Sequence, residues 1–160
     1  MTHAFGFPGE TFKIKNICKK FNLTFIEDAA ECIGSFHNKK HLGTISDIGI
    51  LSFNGNKTIT TGGGGAILTG DKKLYKLAFS LCKLNKVKKN NKFIFNGVGY
   101  NYLMPAINAS IGIEQVKKIK IILNKKIEIL KKYKKIFSVF DNIDFLESIE
   151  DKISNNWLIT

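Results

Sequence analysis

Four consecutive glycines, Gly62 to Gly65, separate two apolar runs at residues 47–53 and 66–69. Glycine weakens helices and frees the backbone to turn, so this run divides the chain into two strands and excludes one continuous helix. Ser52 and Lys57 lie just upstream. The segment therefore places a hydroxyl, an amine and a pliable backbone within a few residues. Those groups suit a phosphorylated aldehyde, with the amine forming a Schiff base and the hydroxyl and backbone N–H groups holding the phosphate. The lysine precedes the glycines, which excludes a P-loop, and no G-x-G-x-x-G opens a helix here. Taken alone, the run is equally well read as a glycine-rich turn between strands with Lys57 on the surface.

A second segment, residues 25–35 (FIEDAAECIGS), is predicted to end an apolar strand with two carboxylates, Glu27 and Asp28. The C-terminal end of a parallel strand faces the crevice in which α/β proteins bind ligands. A carboxylate there, Asp28, can pair with a protonated pyridine nitrogen and make the ring an electron sink.

With both segments in view, the chain resembles the DegT/StrS family of pyridoxal-phosphate-dependent sugar aminotransferases. The resemblance runs from about His3 to Trp157. It rests on HAFGFPG, IEDAAECIGS, LGTISDIGILSFNGNKTITTGGGGAILTGD and GYNYLMPAINASIGIEQ, in that order. It implies an α/β fold: part of an aspartate-aminotransferase-like large domain of PLP fold type I, with a mostly parallel sheet, flanking helices and a long linker helix. Residues 1–104 would be the C-terminal part of the cofactor-binding domain. Residues 105–140 would form the interdomain helix, and residues 141–160 would begin a small domain. The implied roles are Lys57 as catalytic Schiff-base lysine, Asp28 at the pyridine nitrogen, Ser52 at the phosphate and Glu31 at the ring's phenolic oxygen. Asn101 would reach the phosphate of a neighbouring subunit's cofactor, which implies a homodimer. The implied cofactor is pyridoxal 5'-phosphate, the substrate a nucleotide-linked ketosugar, the amino donor glutamate, and the setting amino-deoxysugar synthesis for a surface glycan.

Three positions depart from the family pattern. Glu31 stands where glutamine is frequent, and an ionised carboxylate accepts hydrogen bonds but cannot donate them. Leu103 replaces a frequent arginine, and Phe7 a frequent histidine. Relatives are more than twice as long, so the chain reads as an internal piece of such an enzyme. Three other readings follow. One is an inactive remnant. Another is a ketosugar dehydratase, ranked lower because those relatives carry histidine where Lys57 stands. The third is a basic polyanion-binding module.

Composition narrows these choices. All 25 basic residues are lysines and the net charge is +12. Arginine, the usual bidentate reader of guanine and a favoured phosphate fork, is absent, so nucleic acid is not the expected partner. No apolar stretch approaches the roughly 18 residues of a membrane span. Cys18, Cys32 and Cys82 are odd in number and widely spaced, which fits reduced core residues and a cytoplasmic protein.

Along the chain, helices are expected at 11–21, after an Asp71 N-cap through Leu84, and from Pro105 to about Phe140. Strands are expected at 23–27, 47–53 and 66–69, with a hairpin at 35–42. Residues 85–96, rich in lysine and asparagine, read as an exposed loop. His37 and His41 fall in the hairpin without a third ligand nearby, so no metal site is expected.

Overall fold

The computed structural model describes all of residues 1–160. Its strands are β1 (Ile26–Asp28), β2 (Phe36–His37), β3 (Lys40–His41), β4 (Ile48–Ser52), β5 (Gly65–Leu68), β6 (Lys86–Lys89), β7 (Lys92–Phe95) and β8 (Lys152–Ile153). Its helices are α1 (Thr11–Lys20), α2 (Lys72–Cys82), α3 (Ala106–Lys117) and α4 (Ile119–Phe137). The central sheet has the order β1-β4-β5. β1 and β4 are parallel, with Asp28 opposite Ile50, and β5 returns antiparallel to β4. Residues 1–3 extend the sheet in parallel through a Thr2–Asp28 bridge. The pairings of β1 with β4 and with residues 1–3 are parallel, as expected, while that of β4 with β5 makes the sheet mixed.

Alternation along β1 sends Glu27 and Asp28 to opposite faces. Glu27 is fully buried. Its Oε1 accepts from His3 Nε2 and Gly43 N, both at 3.1 Å, and its Oε2 from Ile45 N at 2.9 Å and Ser46 N at 2.8 Å. His3 Nδ1 accepts from Gly9 N, which leaves Nε2 as the donor. The 43–46 loop comes this close because Gly49, opposite Glu27, carries no side chain. A Cβ there would lie 1.9 Å from the Gly43 carbonyl oxygen. Burial pushes the Glu27 carboxyl up, but bonds from His3, Gly43 and Ser46 outweigh it and hold the group down at about 2. Beside this clamp lies a small core of Ala29, Cys32, Leu42 and Ile45, against which Phe12 and Leu51 pack. Burial, with the neighbouring Glu31 charge, pushes the Cys32 thiol up to about 12, so it is an inert core residue.

The 35–42 hairpin forms as expected, with Asn38 and Lys39 both at positive φ, the conformation of a two-residue turn. Asp71 caps α2 through bonds to Oδ1 from Lys73 N at 2.6 Å and Leu74 N at 3.0 Å. Three expectations need correction. Residues 85–96 are a β6–β7 hairpin rather than a loop, because Asn90 and Asn91 adopt the left-handed turn that asparagine tolerates. β7 is exposed throughout. α2 stops at Cys82, before Leu84, whose φ is 60°. Pro105 caps the long helix from outside, and that helix is interrupted at Lys118 (φ −98°, ψ 1°). Neither α3 nor α4 buries a residue, and Ile107, Val116 and Ile121 stand exposed along them.

Residues 141–160 turn back over the sheet domain. β8 pairs antiparallel with β2, with Ile153 opposite Phe36, and Lys152 pairs with Glu10. The chain then buries Ser154, Asn155 and Asn156.

Ionised Glu27 contributes on the order of 3 kcal/mol at neutral pH. Because its pKa is depressed, that contribution is complete above 4.5 and is lost as pH falls towards 2. Glu27→Gln is expected to lower unfolding free energy by about 2–4 kcal/mol at neutral pH, with the deficit shrinking in acid. Urea denaturation across that pH range measures it.

Candidate active site

The parallel pairing of β1 with β4 sets the first two site residues. Asp28 lies opposite Ile50, and Ser52 follows two residues later. In-register residues share a face, as do residues two apart on a strand, so Asp28 and Ser52 project from the same side of the sheet. Asp28 Oδ1 accepts from Ala30 N at 3.2 Å, and the second oxygen has no protein partner. Ser52 Oγ accepts from Asn54 N at 3.3 Å, which leaves its hydrogen free to donate.

The loop after β4 is closed at its base. Phe53 N donates to Gly64 O at 2.9 Å, and Thr61 N donates to Phe53 O at 3.0 Å. Gly64 sits at φ +109°, a conformation that side-chain-bearing residues avoid. Within the loop, a turn bonding Lys57 N to Asn54 O aims the lysine inwards.

Lys57 is not a surface lysine: its side chain is 14% exposed. Its Nζ lies 3.5 Å from Glu31 Oε1 and 4.3 Å from the ring centroid of Trp157. Glu31 Oε2 accepts from Phe5 N at 2.7 Å. Both oxygens of Glu31 therefore face donors, the arrangement an ionised carboxylate satisfies and an amide does not. Its partner here is the lysine.

Two contributors escaped the sequence reading. Asn155, 120 residues beyond Ser35, donates its backbone N–H to Ser35 Oγ at 2.9 Å. Its Nδ2 lies 2.7 Å from Glu31 O, 2.8 Å from Ile33 O and 3.2 Å from Thr58 Oγ1. One amide thus ties the Glu31 turn to the Lys57 loop. Trp157 follows, with its backbone N–H on Asn155 Oδ1 at 2.9 Å and its Nε1 donating to Asn56 O at 2.8 Å. No local pattern marks either residue, because their partners are distant in sequence.

Asn101 stands apart from this group. It forms a backbone bridge with Lys83 at the end of α2 and is exposed, and the residues on either side of it, Tyr100 and Tyr102, stack their rings on each other. Leu103, with Met104, Tyr102, Phe79 and Tyr75, lines an open apolar cavity of about 510 Å³ over β4 and β5.

A parallel sheet edge bearing Asp28 and Ser52, followed by a loop that buries a lysine amine, defines a lysine-centred α/β site. The sequence profile of the DegT/DnrJ/EryC1/StrS aminotransferase family matches residues 1–160, and the chain belongs to that family. It is 35% identical over 158 residues to GDP-perosamine synthase from Escherichia coli O157:H7, a match covering 99% of this chain and 43% of that protein. The chain thus spans about two-fifths of the length of the curated relatives it matches. Among solved structures it resembles Helicobacter pylori PseC, an aminotransferase involved in the biosynthesis of pseudoaminic acid. The TM-score is 0.88 at 27% identity, over 99% of this chain and 43% of that one. A Streptococcus pneumoniae structure described as a PMP-form superposes with a TM-score of 0.87 at 21% identity, over 99% of this chain and 45% of that one, and supports the fold. The same protein is also known in a PLP-form. The fold is accordingly a partial PLP fold type I domain, and pyridoxal phosphate is the family's cofactor.

No group of three or more His, Cys, Asp or Glu side chains gathers around His37, His41 or elsewhere. His41 Nδ1 donates to Leu42 O at 2.6 Å, while Nε2 accepts from Gly34 N at 2.9 Å. This neutral tautomer braces the hairpin, and burial holds the His41 pKa below 6.5. A base with a depressed folded pKa lends stability above its unfolded value and loses it as pH falls below that value. The unfolding midpoint is therefore expected to drop as pH falls below 6.5, and to drop less in His41→Gln. Burial and the nearby Lys152 also lower the pKa of His37, which accounts for the remaining slope. Thermal melts of both chains across that range check it.

Proposed function

We propose that the chain is the cofactor-holding part of a pyridoxal-phosphate enzyme. It transfers an amino group from glutamate to a keto group on a nucleotide-linked deoxysugar. The observation that carries this reading is the Lys57 amine, held inside the fold beside Glu31 and downstream of a strand end that presents Asp28 and Ser52 on one face. These donors fit the cofactor. The free oxygen of Asp28 can accept from a pyridine N–H, the free hydrogen of Ser52 can reach a phosphate oxygen, and Lys57 supplies the amine. Membership of a sugar aminotransferase family and the likeness to GDP-perosamine synthase support the substrate class.

When bound, the cofactor supplies an electron sink for bonds at the substrate carbon. The protein's part is positioning and proton movement. Asp28 would hold the proton of the ring nitrogen and Ser52 would hold the phosphate. Lys57 Nζ would bind the cofactor and serve as the acid and base that moves a proton. Glu31 orients Nζ. We assign Asn101, with Tyr100 and Tyr102, to the wall of a neighbouring subunit's site in a cytoplasmic homodimer. Residues 1–104, 105–140 and 141–160 are assigned to the cofactor domain, the linker helix and the start of a second domain. A role in polysaccharide or lipopolysaccharide synthesis follows from the substrate class. No helix is long and apolar enough to cross a membrane.

A second reading, a remnant without catalysis, draws on the uncovered faces of α3 and α4. Contiguous exposed apolar surface marks interaction sites or aggregation. Under that reading the 160-residue chain binds anilinonaphthalene sulfonate and elutes as aggregates; a monodisperse chain without dye binding removes it.

The central experiment is borohydride reduction after incubation with pyridoxal phosphate, with the modified lysine located by mass spectrometry. Label concentrated on Lys57, among 25 lysines, is the expected result, and diffuse label overturns the proposal. In an active enzyme, Lys57→Ala is expected to lower transamination by about 10²–10⁴-fold or more.

A further inference from the structure

Trp157 is the chain's one tryptophan. Its ring is fastened on the Lys57 loop by Nε1, which donates to Asn56 O at 2.8 Å. Its backbone is fastened twice: the N–H donates to Asn155 Oδ1 at 2.9 Å, and the carbonyl accepts from Lys126 Nζ at 3.1 Å. One bond on the ring and two on its backbone keep the indole on the loop. Its face lies 4.3 Å from Lys57 Nζ, well within the roughly 6 Å over which an aromatic face attracts an ammonium.

Lysine has a flexible four-carbon stem and a compact charge. Glu31 alone holds Nζ by one contact of 3.5 Å, at the outer limit of a hydrogen bond. The indole supplies a second contact, so the amine has both a carboxylate and an aromatic face within reach. Resting on the assignment of Lys57 above, we infer that Trp157 is a positioning residue for that lysine. Its ring seats the Nζ ammonium whenever the lysine is not bonded to the cofactor. An amine released during turnover thereby stays beside the carbons between which it moves protons. By holding Nζ in one place, the same seat presents Lys57 to a bound cofactor ahead of the chain's other lysines. Asn155 carries the seat into place, because its side chain joins the Trp157 backbone to the Glu31 carbonyl.

Two readouts test this. Without cofactor, the emission of the single tryptophan reports its own surroundings. Lys57→Met is expected to raise acrylamide quenching of that emission by about twofold as the covering ammonium is lost; an unchanged quenching constant overturns the contact. In the second readout, pyridoxal phosphate is added and reduced with borohydride. Trp157→Leu, with its circular dichroism unchanged, is expected to lower the share of label on Lys57 by about fivefold, and Trp157→Phe, which keeps an aromatic face, to stay within about twofold. Equal Lys57 labelling in the leucine variant overturns the positioning role and leaves the proposed function standing. A parent chain that shows the quenching change but no preference for Lys57 overturns the proposed function and reduces Trp157 to a structural contact. If the leucine variant fails to fold, the phenylalanine variant and the quenching measurement decide: loss of Lys57 preference with the aromatic face retained, or an unchanged quenching constant, overturns the inference.

Discussion

The buried carboxylate of Glu27 is the point on which the rest of the fold turns. It receives four hydrogen bonds from two separate stretches of chain: the His3 side chain on one side, and three backbone N–H groups of the 43–46 loop on the other. A buried charge is tolerable only when it is met this fully. The clamp also sets the functional face. Asp28 is the next residue and must point the other way, so fixing Glu27 in the interior fixes Asp28 on the face it shares with Ser52. The glycine at position 49 belongs to the same device, since any side chain there would strike the loop that Glu27 holds.

The second organising contact lies at the other end of the chain. Asn155 gathers Glu31, Ile33 and Thr58 around its side-chain amide and Ser35 on its backbone N–H. The turn after β1 and the loop after β4 carry the two halves of the Glu31–Lys57 pair, and neither is regular secondary structure. Their relative placement depends on this asparagine and on the β2–β8 pairing that delivers it.

What could be read from the sequence divides along physical lines. Features encoded within a few residues were legible. Asp71 caps its helix, Asn38 and Lys39 turn their hairpin, and the glycine run reverses the chain between β4 and β5. The family pattern drew attention to Asp28, Ser52 and Lys57, and the β1–β4 pairing sets Asp28 and Ser52 on one face of neighbouring strands. Glu31 was noted as a misfit for donating to a phenolic oxygen; its ion pair with Lys57 needed coordinates. The β6–β7 hairpin was missed because its lysine and asparagine content looked like a solvated loop, although Asn90 and Asn91 are good turn formers. Glu27, Asn155 and Trp157 were missed for a different reason. Their roles arise from partners 16 to 124 residues away, and no periodicity encodes a contact at that range.

The closing contact between Ser35 and Asn155 also bears on the order in which the molecule is made. Synthesis proceeds from the N-terminus, and long-range contacts carry the loop-closure entropy that slows folding. The Glu27 clamp needs nothing beyond position 49 and is available once that position has emerged. The lysine pocket has its aromatic wall only after position 157. A nascent chain stalled between those points would therefore hold a formed sheet and a loose, solvent-reachable Lys57. The amine is enclosed only once position 157 has been made and has docked on the Lys57 loop.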